Sequence, residues 1–190
     1  MEPLMLAVLA GMTPPDIQVV MYDDRMELIP YDDKTDLVAI TVESYTARRA
    51  YEIADEYRQR GVPVILGGMH PTLIPDEALR YADSIFMGDA ELVWSQVVDD
   101  ARRGTLQKVY QGAPGIAQIG GVMPRRDLYQ GKGYLPMMLL QYTRGCRFAC
   151  SFCAVSEYFD KRTYVRRIDE VLEEIGKEGG RFLFFVVDNI

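Results

Sequence analysis

All three cysteines of the 190-residue chain lie in one short segment, TRGCRFACSFC, Thr143–Cys153. Cys146, Cys150 and Cys153 follow the spacing C-x3-C-x2-C. Thiolates are ligands for soft metals, and iron–sulfur clusters are held by cysteine sulfur. A four-iron cubane held by three cysteines keeps one iron without a protein ligand. That iron is open to a chelating substrate, much as a catalytic zinc keeps a position for water. Two other readings compete. A structural zinc takes four ligands, and the single histidine, His70, stands far upstream. Buried, inert thiols fit poorly in a loop flanked by glycine and arginine. An odd, crowded set of three is a poor disulfide framework, so a reducing, cytoplasmic setting is expected.

Such a loop needs rigid elements to hold it. The composition, 48% hydrophobic and 26% charged, is that of an ordinary globular chain. A net charge of −7 argues against a nucleic-acid partner, which requires a basic surface. The longest apolar stretches, Leu4–Ala10 and Phe182–Val187, fall well short of the roughly 20 residues of a membrane span. The N-terminus MEPLMLAVLAG has no basic region and does not read as a signal peptide.

Short apolar runs at Ile17–Asp23, Asp36–Glu43, Val62–Gly68 and Asp83–Asp89 read as strands buried on both faces. Helical spacing separates them. Leu4, Ala7, Val8 and Gly11 form one stripe; Ala47, Ala50, Tyr51, Ala54 and Tyr57 form another, stopped by Gly61. Pro75 opens a helix, and Trp94, Val97, Val98 and Ala101 mark one closed by Gly104. The expected fold class is α/β, a Rossmann-like doubly wound parallel sheet over residues 1–111. A glycine- and proline-rich stretch, 112–134, reads as a linker. Residues 135–190 then read as the first β-α-β unit of a second α/β domain. Its strand LPMMLLQYT leads into the cysteine loop, and its helix carries Ile168, Val171, Leu172 and Ile175 on one face. Because the chain opens on a helix and stops after that second strand, a piece of a longer protein is expected. Its first strand would lie upstream of Met1.

The cysteine loop resembles the signature of the radical S-adenosylmethionine (SAM) enzymes, C-x3-C-x-Φ-C with Φ aromatic, here Phe152. The resemblance implies a partial TIM-type barrel and a 4Fe–4S cluster on Cys146, Cys150 and Cys153. It implies SAM chelating the fourth iron, with Phe152 near the adenine. Reductive cleavage of SAM would then give a 5′-deoxyadenosyl radical, with flavodoxin or ferredoxin as electron donor. The glycine-rich motif common after the family's second strand is not evident. Asp188 and Asn189 end that strand and so face the SAM site by topology; a helix cap is the alternative.

The first half resembles the cobalamin-binding domain that precedes the barrel in one class of these enzymes. The likeness rests on VAITVES (Val38–Ser44), the Gly67–Gly68 pair and GDAE (Gly88–Glu91). All three stand at carboxyl ends of parallel strands, where open α/β sheets bind ligands. The implied cobalamin contacts are Thr41, Glu43, Ser44, Gly67, Gly68, Met69, His70, Gly88, Asp89 and Glu91. The D-x-H-x-x-G motif that supplies an axial histidine elsewhere is absent, and His70 reads as a loop hydrogen-bonder. The acids of DEYRQR (55–60) and DEVLEE (169–174) read as solvated faces, and Tyr22–Asp24 as a turn.

The resulting expectation is a fragment of a cobalamin-dependent radical SAM enzyme, inactive alone, that methylates an unactivated carbon of a small-molecule or lipid substrate. Anaerobic cyclisation or rearrangement is an alternative outcome. A non-catalytic corrinoid-binding module with a vestigial cysteine loop is the rival from another class.

Overall fold

The computed structural model describes residues 1–113, 122–178 and 182–189. The chain divides into two compact units, Leu28–Ala113, and Met1–Glu27 together with Pro114–Ile190.

The first of these is an α/β unit. Strands β1 (Val38–Thr41), β2 (Val64–Gly67), β3 (Ser84–Met87) and β4 (Val109–Gln111) form one parallel sheet in the order β1-β2-β3-β4. Helix α2 (Ala47–Gln59) links β1 to β2 and buries Ala47, Ala50, Tyr51, Ala54 and Tyr57, the stripe its spacing specifies. Helices α3 (Met69–Leu73) and α4 (Pro75–Ala78) link β2 to β3, and α5 (Trp94–Arg102) leads to β4. Val64, Leu66 and Ile85 are fully enclosed against Ala54, Tyr57 and Ala78. Each such aliphatic side chain contributes roughly 1.5–3 kcal/mol. The α/β class and parallel sheet are as expected. Strand β4 carries no clear sequence signal: it has three residues, and of these only Tyr110 is buried.

In the other unit, α1 (Leu4–Met12) packs through Ala7 and Ala10 on Met21 and Tyr129. Ile17–Asp23, expected as a strand, is not one. Among the described residues no strand pairs with it; the Met21 carbonyl instead accepts from Lys132 Nζ at 2.6 Å, and the chain turns at Asp23–Glu27. Of the stretch read as a linker, residues 114–121 lie outside the described residues. Residues 122–134 lie along α1, with Arg125 N–H donating to the Ala7 carbonyl at 2.9 Å. They include a 3-10 turn, Arg126–Tyr129.

Tyr22–Asp24 does sit at a turn, but Asp23 is buried. Arg25 grips its carboxylate through Nε at 2.9 Å and Nη2 at 2.7 Å, and Tyr134 Oη donates at 2.7 Å. The Arg25 bond, above all, lowers the Asp23 pKa to about 2. A depressed folded-state pKa adds stability that is complete above the unfolded value near 3.9 and is lost as pH falls through about 2. The contribution is about 2 kcal/mol. In acid titrations followed by circular dichroism, Asp23→Asn should flatten the loss of stability between about pH 4 and pH 2. An unchanged acid limb would remove Asp23 from that role.

Strands β5 (Met137–Leu140) and β8 (Phe182–Phe185) pair in parallel, joined through α7 (Ile168–Glu178). Between β5 and α7 lies an antiparallel pair, β6 (Thr143–Gly145) with β7 (Thr163–Val165), and a short helix α6 (Ala154–Tyr158). The β-α-β path is as expected; the inserted hairpin is not, because its strands have three residues each. On α7, Val171 is buried against Met138 and Leu140 with Ile175 beside it, whereas Ile168 and Leu172 are exposed. The buried face of α7 instead includes Glu174, which the sequence placed among solvated acids. Its side chain is 1% exposed. Arg126 Nη2 donates to Glu174 Oε1 at 2.6 Å, and Arg166 Nη1 to Oε2 at 2.8 Å.

Candidate functional site

The cysteine loop leaves β6 and ends where α6 begins. Its first anchor is Gly145, at φ +79°. A side chain there would run into the Arg162 carbonyl and sit 3.0 Å from the Phe159 ring, so only glycine lets the hairpin close. The Gly145 N–H donates to Asp188 Oδ2 at 2.7 Å, which ties the start of the loop to the end of β8. Within the loop, the Cys153 N–H donates to the Cys150 carbonyl at 3.1 Å. Buried Ser156 donates from Oγ to the Phe148 carbonyl at 2.7 Å.

All three thiols are free; Cys150 is exposed, and Cys146 and Cys153 are half-buried. Cys153 stands directly before α6. Backbone N–H bonds from Ser156 and Val155 favour its thiolate and lower its pKa, against the opposing Asp188 charge. In kind, this donor set fits a soft-metal centre. In position, the sulfurs are not drawn to one point: among the described residues no three His, Cys, Asp or Glu side chains are close enough to hold an ion. Phe152 is 90% exposed on the loop. Asp188 has one carboxylate oxygen engaged by Gly145, and the Asn189 carbonyl accepts from Thr143 Oγ1 at 3.4 Å. A cavity of about 270 Å3 in the same unit, lined by Glu2, Arg126, Tyr129 and Tyr134 among others, includes no residue of the cysteine loop.

In the sheet unit, Thr41 and Gly67 are level at the carboxyl ends of β1 and β2. His70 is buried just beyond them. Its Nε2 lies 2.9 Å from Tyr51 Oη, which donates its one proton to Glu77 Oε1 at 3.1 Å. The hydrogen-bond network therefore assigns the imidazole proton to Nε2, leaving Nδ1 to accept from Ser44 Oγ at 3.3 Å. Both ring nitrogens are occupied. Burial and the bond to Glu77 push the Tyr51 pKa up to about 12, so Tyr51 remains a neutral donor at ordinary pH. Burial raises the Glu43 pKa, against the opposing influence of His70.

Helix α3 works as a bracket across this edge. Thr72 Oγ1 donates to the Gly68 carbonyl at 2.8 Å and accepts from the Gly88 N–H at 2.9 Å. His70 N–H donates to the Val42 carbonyl at 3.0 Å. Thr41, Ser44, Gly67, Gly68, Met69, His70 and Gly88 are thus joined at one sheet edge. Half-buried Asp89 and Glu91 follow on the loop after β3. Two exposed apolar residues, Tyr45 and Leu92, 87% and 64% exposed, stand on the loops after β1 and β3. In the sequence only their position marks them: each directly follows a polar loop residue, Ser44 or Glu91.

No family model matches the chain. It is 33% identical over 190 residues to the bacteriochlorophyllide d C-8(2)-methyltransferase of Chlorobaculum tepidum, covering 94% of this chain and 41% of that protein. It is also 33% identical over 202 residues to the C-12(1)-methyltransferase of the same organism, covering 99% of this chain and 44% of that protein. The chain therefore spans less than half the length of these relatives. In fold it resembles a radical S-adenosylmethionine methyltransferase, TsrM, from Kitasatospora setae, with a TM-score of 0.58 and 16% identity over 83% of this chain and 38% of that one. The sheet unit, the cysteine loop after β5 and these likenesses lead to one finding: in sequence the chain is similar to these methyltransferases along nearly its whole length, and in fold to part of a radical SAM methyltransferase.

Proposed function

We propose that the chain forms part of a cobalamin-dependent radical SAM methyltransferase acting on an unactivated carbon of a small organic molecule. The names of its relatives favour a tetrapyrrole-type ring as that substrate. The observation that carries this reading is the set of three free thiols on one loop beyond β5, in a chain 33% identical to two named methyltransferases. When bound, the 4Fe–4S cluster with SAM and the corrinoid supply one-electron cleavage of the sulfonium and methyl delivery, which no side chain here provides. Cys146, Cys150 and Cys153 bind the cluster. Gly145 and Asp188 hold the loop's first turn, and Phe152 offers an exposed ring to the adenine.

At the sheet edge, the glycine backbone of Gly67 and the small side chains of Thr41 and Ser44 allow a broad flat ligand to approach. Tyr45 and Leu92 add apolar contact area beside it. His70 positions Ser44 and does not ligate cobalt, because both its nitrogens are already bonded. A flavodoxin- or ferredoxin-type protein supplies the electron.

The test is anaerobic reconstitution with ferrous iron and sulfide, followed by titration with cob(II)alamin. A broad visible band and a cobalt spectrum unchanged in His70→Ala are expected. A chain that binds corrinoid but gains no band is the non-catalytic module instead. Metal that proves to be zinc and survives in air would leave a structural site. Imidazole splitting of the cobalt signal that disappears in His70→Ala would overturn the role given to His70.

A further inference from the structure

The buried charges of the unit that carries the cysteines have a geometry that fold stability alone does not require. Arg126, Arg166 and Glu174 are 3%, 5% and 1% exposed. Besides gripping Glu174, Arg126 Nη2 donates to the Leu139 carbonyl at 2.8 Å, and Arg166 Nη1 to the Gln141 carbonyl at 3.0 Å. The Leu140 carbonyl between them accepts from Val186 on the β8 side. Successive peptide groups of a strand point to opposite edges. The two arginines therefore bond the edge of β5 that β8 leaves open. Arg166 also donates its backbone N–H to the Tyr142 carbonyl at 3.0 Å. With the Val186 bond to Leu140, all four carbonyls of Leu139–Tyr142 are held, immediately before Thr143–Gly145 and Cys146.

We propose that Arg126, Arg166 and Glu174 form a positioning clamp that sets the direction in which the chain leaves β5, and so presents the cysteine loop for its metal cluster. The inference rests on the reading of that loop as a cluster site, but the clamp can be measured without a cluster. Each residue has a distinct part. The arginines bond the Leu139 and Gln141 carbonyls, to which no described strand donates, and Glu174 from α7 orients both guanidiniums through its two oxygens. Replacing a buried ion triad by apolar side chains of similar size often preserves or raises stability, whereas removing one partner strands the others. That contrast separates positioning from support.

The experiment compares the 190-residue chain with Glu174→Gln and with the triple variant Arg126→Met, Arg166→Leu, Glu174→Leu. In the triple variant the thermal midpoint is expected to stay near that of the parent. Hydrogen exchange of amides 141–146 should nevertheless accelerate by about 100-fold, while amides of β2 in the other unit keep their rates. Iron bound after reconstitution should fall by about tenfold, because three thiols on a wandering loop are harder to gather around one cluster. Glu174→Gln should show the same local acceleration. Should it fail to fold, Arg126→Lys, which keeps the charge but loses the planar fork, is expected to show an intermediate acceleration. Parent-like exchange at 141–146 in a folded triple variant would overturn the clamp. A parent chain that takes up no iron would overturn the proposed function, while amide exchange still decides the clamp.

Discussion

Replacing any one of Cys146, Cys150 and Cys153 with alanine is expected to remove most of the iron taken up on anaerobic reconstitution. The reason lies in the number of ligands. A cubane on three thiolates already leaves one iron to the substrate; on two it has no facial set to hold it. The parent should carry about four irons per chain and each variant under about one. Because Cys150 is exposed and Cys146 and Cys153 are half-buried, none of the three supports the core. The variants should therefore keep the parent's thermal midpoint, and lost iron cannot be ascribed to misfolding. A Cys150→Ala protein with the full complement of iron would exclude Cys150 from the ligand set.

Gly68→Ala is expected to destabilise the sheet unit by about 3 kcal/mol with no ligand present, and Gly67→Ala by less than about 1 kcal/mol. Gly68 sits at φ +104°, ψ −167°, a region essentially restricted to glycine. A Cβ there would lie 2.9 Å from the Val42 carbonyl oxygen and 3.2 Å from Thr41 Oγ1, inside the protein's own β1 edge. A Cβ on Gly67 would meet the Phe86 Cβ at an ordinary 3.5 Å. Urea unfolding followed by circular dichroism measures both. Equal stability of the two variants would contradict this geometry. Gly67→Ala is then the better probe of corrinoid binding, because it alters the edge without breaking it. A bulky residue at Gly68 would weaken binding by disturbing β1, whether or not the ligand needs that space.

Local chemistry made much of this legible in the sequence. C-x3-C-x2-C announces a thiolate centre because ligand identity and spacing are properties of adjacent residues. Short apolar runs ending in polar or glycine residues marked β1, β2 and β3, and the alanine and tyrosine stripe marked α2, because each pattern is complete within a dozen residues. His70 does hydrogen-bond as expected, but from helix α3 rather than a loop, and its partners Tyr51 and Ser44 could not be named.

The sequence by itself thus determined β1 to β3, the longer helices between them, the parallel sheet and the cysteine loop. Tertiary structure alone decided which acids are solvated. Asp23 and Glu174 have the same chemistry and local settings as their exposed neighbours Asp24 and Glu173. They are buried because Tyr134 and Arg126 arrive from 111 and 48 positions away. Likewise Ile17–Asp23 has a strand's composition, but a strand needs a neighbour to accept its hydrogen bonds. With Lys132 on the Met21 carbonyl and α1 against its side chain, it folds as a packed irregular segment. Composition sets what a residue can do. The distant partners that supply charge, hydrogen bonds or a colliding backbone set what it does.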